Sequence, residues 1–447
     1  MTARATMSLL GRVPATWQVA PLRVAGEFFG GGTPDTGNPS FWEGDIPWLS
    51  SQDVRGRWVR ATSRAITKEG LNGSSARMAR CGDMVFVMRS GILRHTLPSA
   101  IVGTDMAINQ DIKVLRLRGP WIAEYLSYVV TGLQTALLAR WRSEGTTVES
   151  LDLDLMRRTV FPVPPEREQR AIADFLNRET DGIDSLVAKK QRLIGLLEEK
   201  RAALISHAVT KGLDLNVPMK DAGIGWLGSV PVHWSQRPLK SCIKPMSTIS
   251  YGIVQPGEPL DAGVPFVQTT NISGELLDIS HLQNTSSEIA AAYPRTILRE
   301  GDVLLGIRAS VGAAHVVPRE LDGCNLSRGV ARIETGVQLL PQFLVLYLRS
   351  SMVREYWGLM KEGSTYEDVS IAKVRMLPVP LPPSHEQRDI VRLIVNETRS
   401  LDELIGRIAG AAACLGEYRA ALITAAVTGQ IDVRAYRRDP EEALEAN

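Results

Sequence analysis

The sequence predicts an α+β protein: two β-rich globules separated by two long helices packed as an antiparallel coiled coil, with a pseudo-twofold internal repeat. Three observations predict it. The first is repetition within the chain of 447 residues. Residues 199–214 (EKRAALISHAVTKGLD) and 417–432 (EYRAALITAAVTGQID) agree at ten of sixteen positions, at an offset of 218. The same offset carries Pro164-Pro165 to Pro382-Pro383, Glu168-Gln169-Arg170 to Glu386-Gln387-Arg388, and Glu144-Gly145-Thr146-Thr147 to Glu362-Gly363-Ser364-Thr365. A period this long marks two copies of a large unit, not a solenoid. The second observation is texture: residues 17–163 and 234–381 consist of short apolar runs punctuated by Gly, Pro and polar turn residues. The third is the stretch 166–211, which has no proline and only Gly182 and Gly195 as glycines. As one helix it would span ~69 Å at ~1.5 Å per residue.

Each element follows from local pattern. DMVFVM (83–88), DIKVLRL (111–117), DVLLGI (302–307) and GVARIE (329–334) read as strands. Residues 120–142 and 341–358 read as helices, with Pro120 suited to a first helical turn. Glu166 and Glu168 place negative charge where the dipole of the first long helix favours it. Ser384 is the expected N-cap of the second, with Gln387 closing a capping box. In heptads, Ile172, Leu176, Glu179, Ile183, Leu186, Lys190, Leu193, Leu197, Lys200 and Leu204 share one seam. The matching seam is Ile390, Ile394, Glu397, Leu401, Leu404, Ile408, Ala411, Leu415, Tyr418 and Leu422. Each helix follows its own globule, so the chain must return, and an antiparallel pair is expected. Residues 214–233 read as a Gly/Pro-marked linker. Its tail, LGSVPVHW (227–234), echoes LGRVPATW (10–17), so the order of segments is circular. Beyond Asp432 lies a charged tail.

Composition excludes several classes. Lys and Arg total 51 against 49 Asp and Glu, a net charge of only +2, so any polyanion site must be a local patch. The four cysteines form no CxxC pair, which suits a reducing compartment. No apolar run reaches the ~20 residues of a membrane helix. The opening residues carry too short an apolar patch for a secretory signal. A cytoplasmic protein without a membrane partner is expected. FFGGGTP (28–34) resembles a glycine-rich cofactor loop, but no clean strand precedes it and a proline stands where a helix should begin. NPSF (38–41) departs from the amine-methylating NPPF pattern at Ser40. Neither has a counterpart in the second copy. The six histidines lack metal-ligand spacing, and no GxxxxGK[ST] loop is present. These absences give the expectation of a non-catalytic chain that binds no metal and no cofactor.

The ordered set GGTP…FWEGDIPWLSSQDV (31–54), GD-strand-Arg (82–89 and 301–308), EG[TS]T (144–147 and 362–365) and PP-x2-EQR before a long helix resembles the specificity subunit of Type I restriction-modification systems. The second copy departs from the IPW signature, with VPFVQTTNI at 264–272. The resemblance implies a target-recognition domain at 1–164, a spacer helix at 165–212, a linker at 213–233, a second target-recognition domain at 234–382, a second spacer helix at 383–432 and a tail at 433–447. It also implies a bipartite double-stranded DNA site and two methyltransferase subunits, with restriction subunits joining them. S-adenosylmethionine, ATP and Mg would be used by those partners. Expected DNA contacts are Arg89, Arg94, His95, Gln52, Thr146 and Thr147 in the first domain. In the second they are Arg308, Asn271, Asn325, Lys361, Ser364 and Thr365. Expected partner contacts are Glu168, Gln169, Arg170 and Arg201, with Glu386, Gln387, Arg388 and Arg419. The competing readings are a self-contained DNA methyltransferase and a coiled-coil scaffold without sequence specificity.

Overall fold

The structure, a computed structural model, describes residues 13–143, 148–360 and 368–433. The chain forms two compact units, and each takes pieces of both repeats. The first comprises Met1–Lys190 and Gly410–Asn447; the second comprises Gln191–Ala409.

The first unit holds a five-stranded sheet in the order Gly26–Gly30, Ile112–Leu117, Met84–Val87, Ser99–Val102, Trp58–Val59. A four-stranded sheet runs Arg64–Ile66, Trp42–Leu49, Met106–Ile108, Arg77–Ala79. The strand Gln18–Pro21 pairs with Val160–Val163, which leads directly into the first long helix. The second unit repeats the plan in reduced form. Its four-stranded sheet is Ser250–Tyr251, Val330–Ile333, Val303–Gly306, Ala314–Val316, and a three-stranded sheet is Gln283–Thr285, Val264–Val267, Asn325–Leu326. Ser235–Pro238 pairs with Pro378–Leu381 ahead of the second long helix. The four apolar runs expected as strands are all strands. The supposed linker contains a hairpin, Met219–Asp221 against Ser229–Pro231.

The aspartate after each GD turn explains that motif. Asp83 accepts from Arg80 N at 2.8 Å and pairs with Arg116 at 2.7 Å. Asp302 accepts from Arg299 N at 2.8 Å and pairs with Arg332 at 2.6 Å. Both carboxylates are buried, and a buried charge is tolerated only when paired and hydrogen-bonded. The hydrogen bond that Arg116 donates to Asp83 raises the Arg116 pKa, against the opposing effect of burial.

The long helices are Glu166–Lys211 and Ser384–Val427. Each starts in the unit of its own globule and ends in the other. In the second unit Arg201 Nε lies 3.3 Å from Asp402 Oδ1, while Ile205 and Thr398 line a common cleft, so the two stretches run antiparallel. In the first unit Arg419 Nε lies 2.8 Å from Asp184 Oδ1, while Leu176 and Val427 share the core. These two ion pairs are one pair written twice, since the offset of 218 carries Asp184 to Asp402 and Arg201 to Arg419.

The helix ends close each unit in a duplicated way. The helical patch 120–142 is not one helix but Ala123–Gly132 and Gln134–Trp141. The patch 341–358 breaks at the equivalent place, into Pro341–Arg349 and Ser351–Met360. A hydroxyl from a long helix seats in each break: Thr424 Oγ1 donates to Gly132 O at 2.9 Å, and Ser206 Oγ accepts from Ser351 N at 3.0 Å. One turn later Gly212 (φ 79°) and Gly429 (φ 73°) end the helices in the left-handed conformation. Trp234 packs on the first and Trp17 on the second. The circular order read from LGRVPATW and LGSVPVHW therefore has a physical counterpart.

Two expectations are corrected. The apolar seam is buried at Ile172, Leu176, Ile183, Ile390, Ile394, Leu401 and Ile408, but Leu186, Leu193 and Tyr418 are 44%, 45% and 56% exposed. A two-helix contact covers only a narrow stripe, and full burial occurs where a globule covers the helix as well. The capping box at Ser384 is absent as well, because the Gln387 side chain is buried in its globule and bonded there.

Candidate nucleic-acid interface

The GGTP…IPW signature is a packing device. Trp48 Nε1 donates to Gly32 O at 3.2 Å, and Gly32 N donates to Ile108 O at 3.1 Å. Trp42 Nε1 donates to Asp35 O at 3.0 Å, and the two indoles meet edge-on at 5.2 Å. Together they lash residues 31–35 to the four-stranded sheet. Just beyond, Ser50 and Asp53 form a reciprocal capping box. Asp53 Oδ1 also accepts from Ser63 N at 2.9 Å, which ties both ends of the following loop together. Burial raises the Asp53 pKa, but the hydrogen bonds from Ser50 and Ser63 outweigh it and hold the carboxyl below its ordinary value. Gln52 is exposed on this loop and donates to Ser63 Oγ at 3.1 Å.

Arg89 follows its strand as expected and is exposed, with a backbone bridge to Ser150. Its side chain has no polar partner among the described residues. Arg94 is exposed and 3.3 Å from Glu149, and His95 is exposed beside it. Thus Arg89, Arg94 and His95 gather on one edge of the first globule. Arg308 has the equivalent backbone bridge, to Asp368, but its guanidinium is held by that residue at 2.8 Å. The equivalent arginines are therefore unequal: among the described residues one is free and one is neutralised.

Two expected contacts are corrected by burial. Asn325 is 0% exposed, with Oδ1 accepting from Thr296 Oγ1 at 2.6 Å and Nδ2 donating to Ala290 O at 3.3 Å. Asn271 is 3% exposed and closes a capping box with Gln268, whose N donates to Asn271 Oδ1 at 2.8 Å. Both asparagines shape the second globule from within. Thr146, Thr147, Lys361, Ser364 and Thr365 lie outside the described residues.

The EQR segments divide by position. Gln169 is fully buried; its Nε2 donates to Pro120 O at 2.8 Å and Pro164 O at 2.9 Å, and its Oε1 accepts from Ile122 N at 3.0 Å. Gln387 makes the same three bonds to Gln338 O, Pro382 O and Leu340 N, at 2.8, 2.9 and 2.8 Å. Each glutamine clamps a long helix to its globule and cannot reach a partner, which corrects that expectation. Arg201 and Arg419 are engaged in the duplicated ion pairs, and Arg201 also bonds Glu275. Glu386 accepts from Trp234 Nε1 at 2.9 Å and lies 2.7 Å from His233 Nε2. Arg170 and Arg388 are exposed, the first 2.7 Å from Glu166, and Glu168 is half-buried. The acidic partners Asp184 and Asp402 escaped sequence reasoning, although the offset of 218 relates them.

The architecture defines a class: two divergent β-rich domains carried on one duplicated helical framework. The chain matches the family model of the Type I restriction modification DNA specificity domain over residues 14–194 and 258–408. It therefore belongs to the family of Type I restriction-modification specificity subunits. It is 25% identical over 322 residues to the Type I restriction enzyme EcoBI specificity subunit of Escherichia coli, covering 71% of this chain and 67% of that one. It is 21% identical to the MjaVIII specificity subunit of Methanocaldococcus jannaschii, covering 88% of each chain. Among solved structures, a chain from work on complex assembly and conformational transition of the type I R-M system is 21% identical, with a TM-score of 0.70, covering 94% of this chain and 100% of that one. The HsdS subunit from Thermoanaerobacter tengcongensis is 20% identical, with a TM-score of 0.53, covering 94% and 98%. Among the described residues no helix is long and apolar enough to cross a membrane.

Proposed function

We propose that this chain is the non-catalytic subunit that reads a bipartite, asymmetric DNA site and carries two methyltransferase subunits, with restriction subunits joining the same assembly. Each globule reads one half-site. S-adenosylmethionine, ATP and Mg are used by the partners, and the assembly works in the cytoplasm. One observation carries the reading: the framework is duplicated down to single hydrogen bonds, whereas the globules it carries diverge. A shared frame with two unlike readers suits a target whose halves differ. DNA contacts combine arginine or lysine at phosphates with side chains that reach base edges. Arg89, Arg94, His95 and Gln52 are exposed for such work. The exposed Arg170 and Arg388 are the remaining basic candidates of the EQR segments for partner docking, and Leu193 and Leu196, 45% and 52% exposed, offer an apolar anchor.

The helices act as the spacer between half-sites. Four residues inserted near Gly195 lengthen the helix by ~6 Å, close to two base-pair steps of ~3.4 Å. Mapping of adenine methylation genome-wide, with and without the gene, should give one split motif. The insertion should then add spacer bases with both half-sites unchanged. Replacement of residues 17–163 by another reader should change one half-site alone. A methylation pattern indifferent to the gene, or methyl transfer by the isolated chain, would overturn the reading.

A further inference from the structure

The two globules share one connection on which their charge is opposite. Ser50–Asp53 and Gln268–Asn271 are equivalent capping boxes, 218 residues apart. Downstream, the strand Arg64–Ile66 and the Thr67-capped helix Lys68–Asn72 match the strand Gln283–Thr285 and the Ser286-capped helix Ser287–Ala291. Between these fixed points the first globule has VRGRWVRATSR (54–64): four arginines and no carboxylate, a charge of +4. The second has ISGELLDISHLQ (272–283): Glu275 and Asp278 with no lysine or arginine, a charge of −2 with histidine neutral. The net charge of the chain hides this contrast.

The arginines of the first connection are arranged for use at its surface. Arg57 is turned inward, stacked 4.5 Å over the Tyr128 ring and bonded to Asn177 of the first long helix. Arg55, Arg60 and Arg64 are exposed, and none pairs with a carboxylate among the described residues. Arg55 Nε donates to Gln52 O at 2.8 Å. The Arg60 guanidinium lies 5.6 Å from the centre of the Trp58 ring, and that of Arg64 lies 3.7 Å over Trp42. Stacking covers one face of a guanidinium and leaves its in-plane N–H fork free, already oriented for phosphate oxygens. Side chains held this way lose less entropy on binding. Val54 and Val59 are buried, so the connection has no exposed apolar anchor of the kind a protein interface centres on. The second connection instead pairs its carboxylates at the surface: Glu275 bonds Arg201 of the long helix, and Asp278 holds His281 at 3.0 Å.

We infer that residues 54–64 grip the sugar-phosphate backbone of DNA through Arg55, Arg60 and Arg64, and that the equivalent connection of the second globule makes no such grip. This rests on the DNA-reading function proposed above. The two halves of the site are then held by different physics, and the first is the salt-sensitive half.

The test uses the full chain in its assembled complex and measures affinity against salt concentration. The probes are a short duplex carrying the mapped methylation motif and a scrambled duplex of equal length. Loss of a phosphate contact lowers the salt slope by ~0.9. The R55Q/R60Q/R64Q variant should therefore lose about 2.7 of slope, weaken on both duplexes alike and keep the same methylated motif. R55K/R60K/R64K, which keeps the charge, should retain most of the slope, and this separates lost charge from lost fold. D278N should leave the slope unchanged. A triple glutamine variant with wild-type slope and intact motif recognition overturns this inference and leaves the parent reading standing. So does a changed half-site, which would mean base reading, or lost assembly with DNA affinity intact, which would mean a protein contact. A wild-type complex that prefers neither duplex and shows no salt dependence sinks both.

Discussion

Removal of the buried glutamine clamp should destabilise one unit and spare the other. Gln169→Ala deletes three hydrogen bonds and leaves Ile122 N and the buried Pro164 O without a partner, while Pro120, exposed, can rehydrate. With ~1 kcal/mol net for each of two lost bonds and a further ~1 kcal/mol for orphaned buried groups, the loss is about 3 kcal/mol. For a unit of this size each kcal/mol moves the melting midpoint by ~2–4 °C, so a fall of ~6–12 °C is expected. Two units need not melt together, so the scan should be read beside segment-resolved hydrogen exchange. Protection should drop across residues 120–130 and 164–172 and persist across 338–348. Gln387→Ala should do the reverse, because its three bonds are the same. Gln169→Glu should cost more at neutral pH, since it aims a carboxylate at two carbonyl oxygens. Burial raises the pKa of that carboxyl above its unfolded value, so the penalty is greatest at neutral pH and is relieved as pH falls through the raised value. A midpoint within ~1 °C of wild type would refute the clamp, as would exchange opening in the opposite unit. Normal stability with failed partner binding would return Gln169 to the docking surface.

Three further outcomes are expected. Gly429→Ala should destabilise by more than Gly212→Ala, by thermal scan: both have positive φ, but a new Cβ at 429 meets the Pro14 ring at 2.4 Å, against 3.2 Å to Trp234 at 212. Asp184→Arg should be rescued by Arg419→Asp, with a double-mutant coupling of about 0.5–1 kcal/mol that fades in high salt, as befits a half-exposed pair. Asp53→Ala should cost ~1 kcal/mol of local stability, and Asp53→Asn much less, because Asn271 closes the same box in the second globule. The Asp53 carboxyl sits below its ordinary value of 3.8, so its contribution is complete above that pH and is lost as pH falls through the depressed value. Acid titration of Asp53→Asn should lack that loss.

Several features are legible in the order of residues alone. The repeat, the strand runs and the long helices depend on period, and period survives in one dimension. The duplicated EQR phase is legible too, but its meaning is not. Glutamine at a helix start reads equally as cap, partner contact or clamp, and only the 0% exposure of Gln169 and Gln387 chooses among them. Arg89 and Arg308 read alike because they follow like strands. Their difference is Asp368, sixty residues downstream of Arg308 and brought beside it by a backbone bridge. Asn325 reads as available because a polar residue after a turn usually is; the fold buries it as a brace. The four arginines of 54–64 are visible as composition but lack a motif, and their contrast emerges only when strands and caps align the two globules.

The sequence by itself determined that the chain is a duplication with an unequal pair of globules on a shared helical frame, since identity at a constant offset needs no coordinates. Tertiary structure alone decided which half of each helix belongs to which unit. Every long helix leaves its own globule and ends in a socket of the other repeat, with Thr424 at Gly132 and Ser206 at Ser351. No local pattern encodes that exchange. It arises because each globule has a helix break whose backbone groups need a hydrogen-bonding partner that its own helix, running away from it, cannot supply.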